Sequence, residues 1–117
     1  MAEGIKRGDI WTVQLLSHPK PRPALIVSIN ALNDVWPDVV VLPITTDPGP
    51  LRIPIPEDRE RTGLRETSYA KCESITTLEK ARLKQRIGVL PSQSWEAVEH
   101  GIQRVLGIKG TPAFSKE

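Results

Sequence analysis

The chain has 117 residues and a net charge of +2, which suits one domain with a modest core and permits a phosphate-bearing partner without requiring one. Its single cysteine, Cys72, excludes an internal disulfide, and with only His18 and His100 beside it in composition a zinc site is not expected; no metal or cofactor is. No apolar run is long enough to span a bilayer and the start MAEGIKRGDIW lacks the apolar stretch of a secretory signal, so a cytoplasmic protein without membrane partners is expected.

In chain order, short apolar runs bounded by Pro, Gly, Asp or Asn predict six strands. They are Ile10 to Leu16, Ala24 to Ser28, Val39 to Ile44, Arg52 to Ile55, Ser68 to Ile75 and Arg86 to Leu90. Pro54 and Pro56 alternate with Ile53 and Ile55; because proline donates nothing to a ladder, this strand belongs at a sheet edge with its prolines outward. EDRERTGLRE reads as a charged loop, and Thr77 before LEKARL as the cap of a single helical turn. The period then changes: Trp95, Val98, Ile102, Val105 and Leu106 recur at three and four, with Ser92 as cap and Gly107 as stop. Residues 1–107 thus form one domain and 108–117 a flexible tail. The strands sit too close for βαβ crossovers, so the fold class is mainly β, a small barrel of antiparallel strands closed by a C-terminal helix.

The signatures of phosphate cradles, zinc hydrolysis and serine hydrolysis are missing: there is no GxGxxG, P-loop, HExxH, CxxC or GxSxG. What remains is polar residues at strand ends. Arg22 stands between Pro21 and Pro23 at the mouth of the second strand, where both prolines restrict the backbone. Thr45 and Thr46 leave the third strand, and alternation places Lys71 and Glu73 side by side on one face of the fifth with Cys72 pointing away. Each also has a plain structural reading. Arg22 suits a solvated turn, the threonines suit turn initiation, and Lys71 with Glu73 suits a surface ion pair. Cys72 reads as a small core residue, His18 and His100 as solvated, Trp11 and Trp95 as core, and Trp36 as the aromatic exposed for stacking.

Taken in order, KRGDIW, RPALIVS, VLPITTD, GLRETSYAKCESITTLEKARL and RIGVL before a closing helix resemble the MazF/PemK family of toxins from toxin–antitoxin pairs, from Ile5 to Leu106. The resemblance implies an SH3-like barrel, a homodimer, and metal-independent, sequence-specific cleavage of single-stranded RNA. It also implies a cognate antitoxin whose tail folds across the site, and operator DNA bound only by the toxin–antitoxin complex. On these motifs Arg22 matches the arginine set against the scissile phosphate, and Thr45 the active-site threonine, with Thr46 as its neighbour and substitute. Lys71 takes the place of an arginine proton donor, and Glu73 that of an acidic base. Relatives usually carry a longer, Gly-rich first loop; here LSHPKP is short and Pro-rich, and it contains His18 where some relatives use a histidine.

Metal-free RNA cleavage leaves three tasks once the substrate's 2'-hydroxyl is the nucleophile: a base, a proton donor, and stabilisation of the phosphorane. Glu73 is the expected base, Arg22 and Thr45 the stabilisers and Lys71 the donor, while Lys20, Arg65, His18, Thr46 and Trp36 are expected to touch RNA. Two alternatives stay open: a gyrase-poison-like toxin that binds protein through the end of its closing helix, and a degenerate barrel that only binds RNA.

Overall fold

Residues 4–109 are described by the structure, a computed structural model. Seven strands, β1 Asp9–Val13, β2 Arg22–Ile26, β3 Asp38–Thr45, β4 Arg52–Ile55, β5 Ser68–Lys71, β6 Thr76–Glu79 and β7 Leu83–Val89, accompany two helices, α1 Asn30–Val35 and α2 Trp95–Leu106. Every ladder is antiparallel, in the order β4-β5-β3-β2-β1-β7, with β6 also on β3. Among the described residues no ladder joins the two ends of this path, so the expected barrel is an open sheet.

Alternation along the central strands explains why their apolar runs are continuous. Leu25, Leu42 and Ile44 join one cluster, with Ile10, Ile55 and Val98 of α2, while Ala24, Ile26, Val39 and Val41 join a second with Val13 and Leu78. A strand buried on both faces has no polar side to show. β4 lies at the edge with Pro54 and Pro56 exposed and Ile55 buried, as the prolines predict.

The KRGDIW segment forms a clamp between sheet and helix. Arg7 lies over the Trp95 ring at 3.8 Å, donates to the Val27 carbonyl at 3.0 Å and pairs with Glu99 at 2.9 Å. Gly8, with φ of 100°, donates to the Ile26 carbonyl and accepts from the Leu90 N–H, both at 2.8 Å. Asp9 is buried and accepts from the Lys6 N–H at 2.9 Å and Trp11 Nε1 at 3.3 Å, with Arg86 Nε 3.3 Å away. Asp9→Ala orphans those donors and should lower the unfolding free energy by about 3 kcal/mol. An unchanged midpoint in urea denaturation would contradict the clamp.

Three elements depart from the sequence reading. The expected strand Ser68 to Ile75 stops at Lys71, where a 3-10 turn at Cys72–Ser74 ends β5, and a further strand that was not expected, β6, follows from Thr76; β5 and β6 pair with different halves of β3. The turn sends Cys72 beneath α2, where Gly101 makes room: a Cβ there would stand 2.7 Å from Cys72 Sγ. Second, Thr77 lies within β6 and caps nothing; the 3-10 turn comes later, at Lys80–Arg82. Third, α1 follows β2 where no helix was expected. Its anchor is tertiary: buried Ser28 Oγ donates to Asn33 Oδ1 at 2.5 Å and accepts from the Val40 N–H at 3.0 Å, while Asn33 Nδ2 returns to the Ser28 carbonyl at 2.9 Å.

The closing helix matches its periodicity at Val98, which is buried, and at Trp95, Ile102 and Val105, which pack against the core, with His100 exposed; Leu106, expected on the same face, is exposed instead. Ser92 opens a 3-10 turn rather than capping α2, whose N-cap position is Ser94; Gly107, at φ of 71°, ends it. The expected tail lies outside the described residues beyond Lys109.

Candidate active site

The pairing order brings distant strand ends together. Arg22 opens β2 opposite Val13, Thr45 closes β3 opposite Tyr69, and Lys71 closes β5 opposite Arg52 of β4. Between them lies a cleft of about 560 Å³ lined by Arg22, Thr45, Thr46, Lys71, His18, Asp47 and Arg52, with Leu15, Pro23 and Pro43 among its apolar walls. The short first loop forms one wall: Gln14 Nε2 donates to the His18 carbonyl at 2.7 Å, which fixes the loop against β1. Among the described residues, neither Arg22 nor Lys71 has an ion-pair partner, so the cleft presents two unpaired cations beside the hydroxyls of Thr45 and Thr46, with Asp47 the carboxylate on the same lining.

Five of the residues singled out in the sequence therefore meet: Arg22, Thr45, Thr46, Lys71 and His18. Glu73, Lys20, Arg65 and Trp36 lie outside the lining. Glu73 does not share a strand face with Lys71, because β5 ends at Lys71 and Glu73 sits in the 3-10 turn that follows. Its carboxylate instead takes Arg52 Nε at 2.9 Å, which holds it at the edge of the cleft. Lys20 and Arg65 are exposed on loops, and Trp36 is 56% exposed just after α1.

Sequence reasoning missed Arg52. Period two puts it on the same side as Pro54, the outward side of an edge strand, yet its guanidinium folds back to donate from Nη1 to the Asp47 carbonyl at 3.0 Å. The usable signal was the turn chemistry of DPGP, which returns the chain so that Arg52 arrives beside Asp47.

Cys72 is buried, and burial, followed by the charge of Glu73, pushes its thiol pKa up; it stays a neutral core group. A second depression of about 580 Å³, lined by Asp58, Glu60, Arg61 and Arg86 to Val89, mixes both signs of charge and gathers none of the strand-end hydroxyls. The chemistry is better supplied by the first cleft.

Residues 6–106 match the family model described as PemK-like, MazF-like toxin of type II toxin-antitoxin system. The chain is 33% identical over 111 residues to a probable endoribonuclease MazF of Mycolicibacterium smegmatis, across 91% of this chain and 100% of that protein. It is similar to the solved structure of an endoribonuclease in complex with its cognate antitoxin from a mycobacterial species, with TM-score 0.78 and 26% identity over 94% of this chain and 100% of that one. Against the Mycobacterium tuberculosis toxin MazF-mt6 the TM-score is 0.76 at 25% identity, over 87% of this chain and 99% of that one. With the family match spanning nearly the whole described sheet and helix, the chain belongs to the PemK-like, MazF-like toxins of type II toxin–antitoxin systems.

Proposed function

We propose that this endoribonuclease toxin cuts single-stranded RNA at short sequence motifs in the Arg22–Thr45–Lys71 cleft, with the substrate's 2'-hydroxyl as nucleophile and no metal ion. The observation that carries the reading is the convergence of Arg22, Thr45, Thr46 and Lys71 on one cleft. Cations and hydroxyls are donors, suited to meeting the oxygens of a phosphorane.

In this mechanism Glu73 takes the proton of the 2'-hydroxyl, whose oxygen then bonds to phosphorus. Arg22 and Thr45 donate to the equatorial oxygens as negative charge builds there. The bond to the 5'-oxygen breaks and Lys71 supplies the proton that oxygen needs, leaving a 2',3'-cyclic phosphate and a free 5'-hydroxyl. Thr46 and His18 line the same cleft and contact the RNA there, while Lys20, Arg65 and Trp36 extend the contact outside it.

The partners are a cognate antitoxin, which closes the cleft, and a second copy of the toxin; operator DNA binds only the toxin–antitoxin complex. The similarity to an endoribonuclease solved with its antitoxin supports the first. A monomer at micromolar concentration in sedimentation would remove the dimer from this reading.

A protein-binding toxin is the second reading, favoured by Leu106 and Ile108, which are 52% and 54% exposed at the end of α2. One assay separates the two. Purified protein incubated with mixed single-stranded RNA, with and without chelator, should cut it equally in both, and Arg22→Ala should abolish cutting. Intact RNA would favour the protein-binding reading or a module that only binds RNA, and cutting lost with chelator would overturn the metal-free step.

A further inference from the structure

Leu51 has φ of 64°, a left-handed conformation that a leucine adopts only where its surroundings impose it. The strained residue immediately precedes Arg52, and the turn around it is closed by the Arg52 N–H on the Gly49 carbonyl at 3.2 Å. Room for the arginine stem depends on Gly49, since a Cβ there would stand 3.2 Å from Arg52 Cδ and Nε.

What the strained turn delivers is a continuous set of hydrogen bonds. Thr45 Oγ1 accepts from the Asp47 N–H at 3.2 Å, the Asp47 carbonyl accepts from Arg52 Nη1 at 3.0 Å, and Arg52 Nε donates to Glu73 Oε2 at 2.9 Å. Because the Thr45 oxygen is accepting from the Asp47 N–H, its hydroxyl hydrogen is left to donate into the cleft. Arg52 itself is only 22% exposed, against 35% for Glu73. A guanidinium grips phosphate through its Nε–Nη2 edge or its Nη1–Nη2 edge; Glu73 takes the Nε donor of the first, and Asp47 engages Nη1, one of the two nitrogens of the second.

We infer that Arg52 is a positioning residue that couples Thr45 to Glu73, fixing hydroxyl and carboxylate in one geometry, and that it does not hold the substrate phosphate. The inference rests on the proposed roles of Thr45 and Glu73. It deepens that reading, because it makes the phosphorane donor and the base a single mechanical unit although they lie on different elements. Lysine cannot serve in its place, since one ammonium does not reach both partners in the planar geometry of the guanidinium.

The test uses the full-length protein and a short single-stranded RNA that it cuts, under single-turnover conditions, with melting temperature as a folding control. Arg52→Ala should lower the cleavage rate on the order of 10- to 100-fold, with the half-saturating RNA concentration changed by less than about twofold. Arg52→Lys should fall between Arg52→Ala and the unmodified protein. On uncleavable 2'-O-methyl RNA, the slope of log affinity against log salt should be unchanged in Arg52→Ala, whereas each lost phosphate contact would reduce it by about 0.7. In a Glu73→Gln background Arg52→Ala should cost less than about threefold more, because its effect passes through Glu73.

A shallower salt slope with weaker binding would overturn the inference in favour of a direct phosphate contact. An equal loss in both backgrounds would reduce Arg52 to a general structural role, and full activity in Arg52→Ala would also refute it. If Glu73→Gln alone is fully active, the failure belongs to the proposed base. Coupling is then read in Arg52→Ala with Thr45→Ala, where strictly additive losses would refute the positioning role.

Discussion

Arg22→Lys should lower the rate of RNA cleavage by about 100-fold or more while leaving RNA affinity and its salt dependence close to those of the unmodified protein. The substitution keeps the charge and removes only the planar fork, so it isolates geometry from electrostatics. The backbone is what the fold has restricted at this position. Pro21 and Pro23 flank Arg22, it opens β2 in register with Val13, and it lines the cleft without an ion-pair partner among the described residues. The Arg22 side chain is exposed at the cleft, where its guanidinium can present two parallel N–H donors to two phosphorane oxygens; an ammonium is a point charge that meets them one at a time. An arginine that only steers RNA would show no such sensitivity. Single-turnover cleavage beside equilibrium binding to 2'-O-methyl RNA separates the outcomes, and near-normal turnover in the lysine variant would assign Arg22 to steering RNA alone.

The contrast between Arg22 and Glu73 shows which parts of the site were legible in the sequence. Arg22 and Thr45 were readable because their placement depends on neighbours one or two residues away, namely the prolines of PRP and the end of an apolar run. Glu73 was misplaced because strict alternation was carried past Lys71, whereas β3 takes two successive partners and the chain between them turns to bury Cys72. Arg52 was only partly legible: DPGP announces the turn that brings it beside Asp47, but its partner Glu73 is 21 residues away and no side-chain preference announces the left-handed Leu51. The fold shows the same division. The period of α2 and the edge position of β4 follow from local patterns, but the six-residue α1 is too short to display a period and depends on the Ser28–Asn33 contact.

One 2'-deoxy or 2'-O-methyl nucleotide just upstream of the scissile bond, in an otherwise cleavable RNA, should abolish cleavage while leaving binding nearly intact. The expectation follows from the chemistry that the cleft offers. Cys72 is buried with its thiol held neutral, so the protein supplies no accessible sulfur nucleophile at the site. In the proposed mechanism Arg22, Thr45 and Lys71, which line the cleft, act as donors or charge stabilisers, and Glu73, held by Arg52, accepts the proton. In the same mechanism the attacking oxygen is the RNA's own, already tethered beside the phosphorus, where proximity removes much of the barrier. Removing or blocking that oxygen takes away the nucleophile and leaves the phosphate contacts of Arg22 and Thr45 in place, so affinity survives. Glu73→Gln should produce the same loss on unmodified RNA, because an amide does not accept the proton. The released ends provide a third reading, as internal attack leaves a 2',3'-cyclic phosphate and a 5'-hydroxyl whereas attack by water leaves none of the cyclic species. Cutting of the deoxy-substituted RNA at the same bond would overturn the mechanism. A fully active Glu73→Gln with uncut deoxy-substituted RNA would move the base to another group and keep the 2'-hydroxyl as nucleophile.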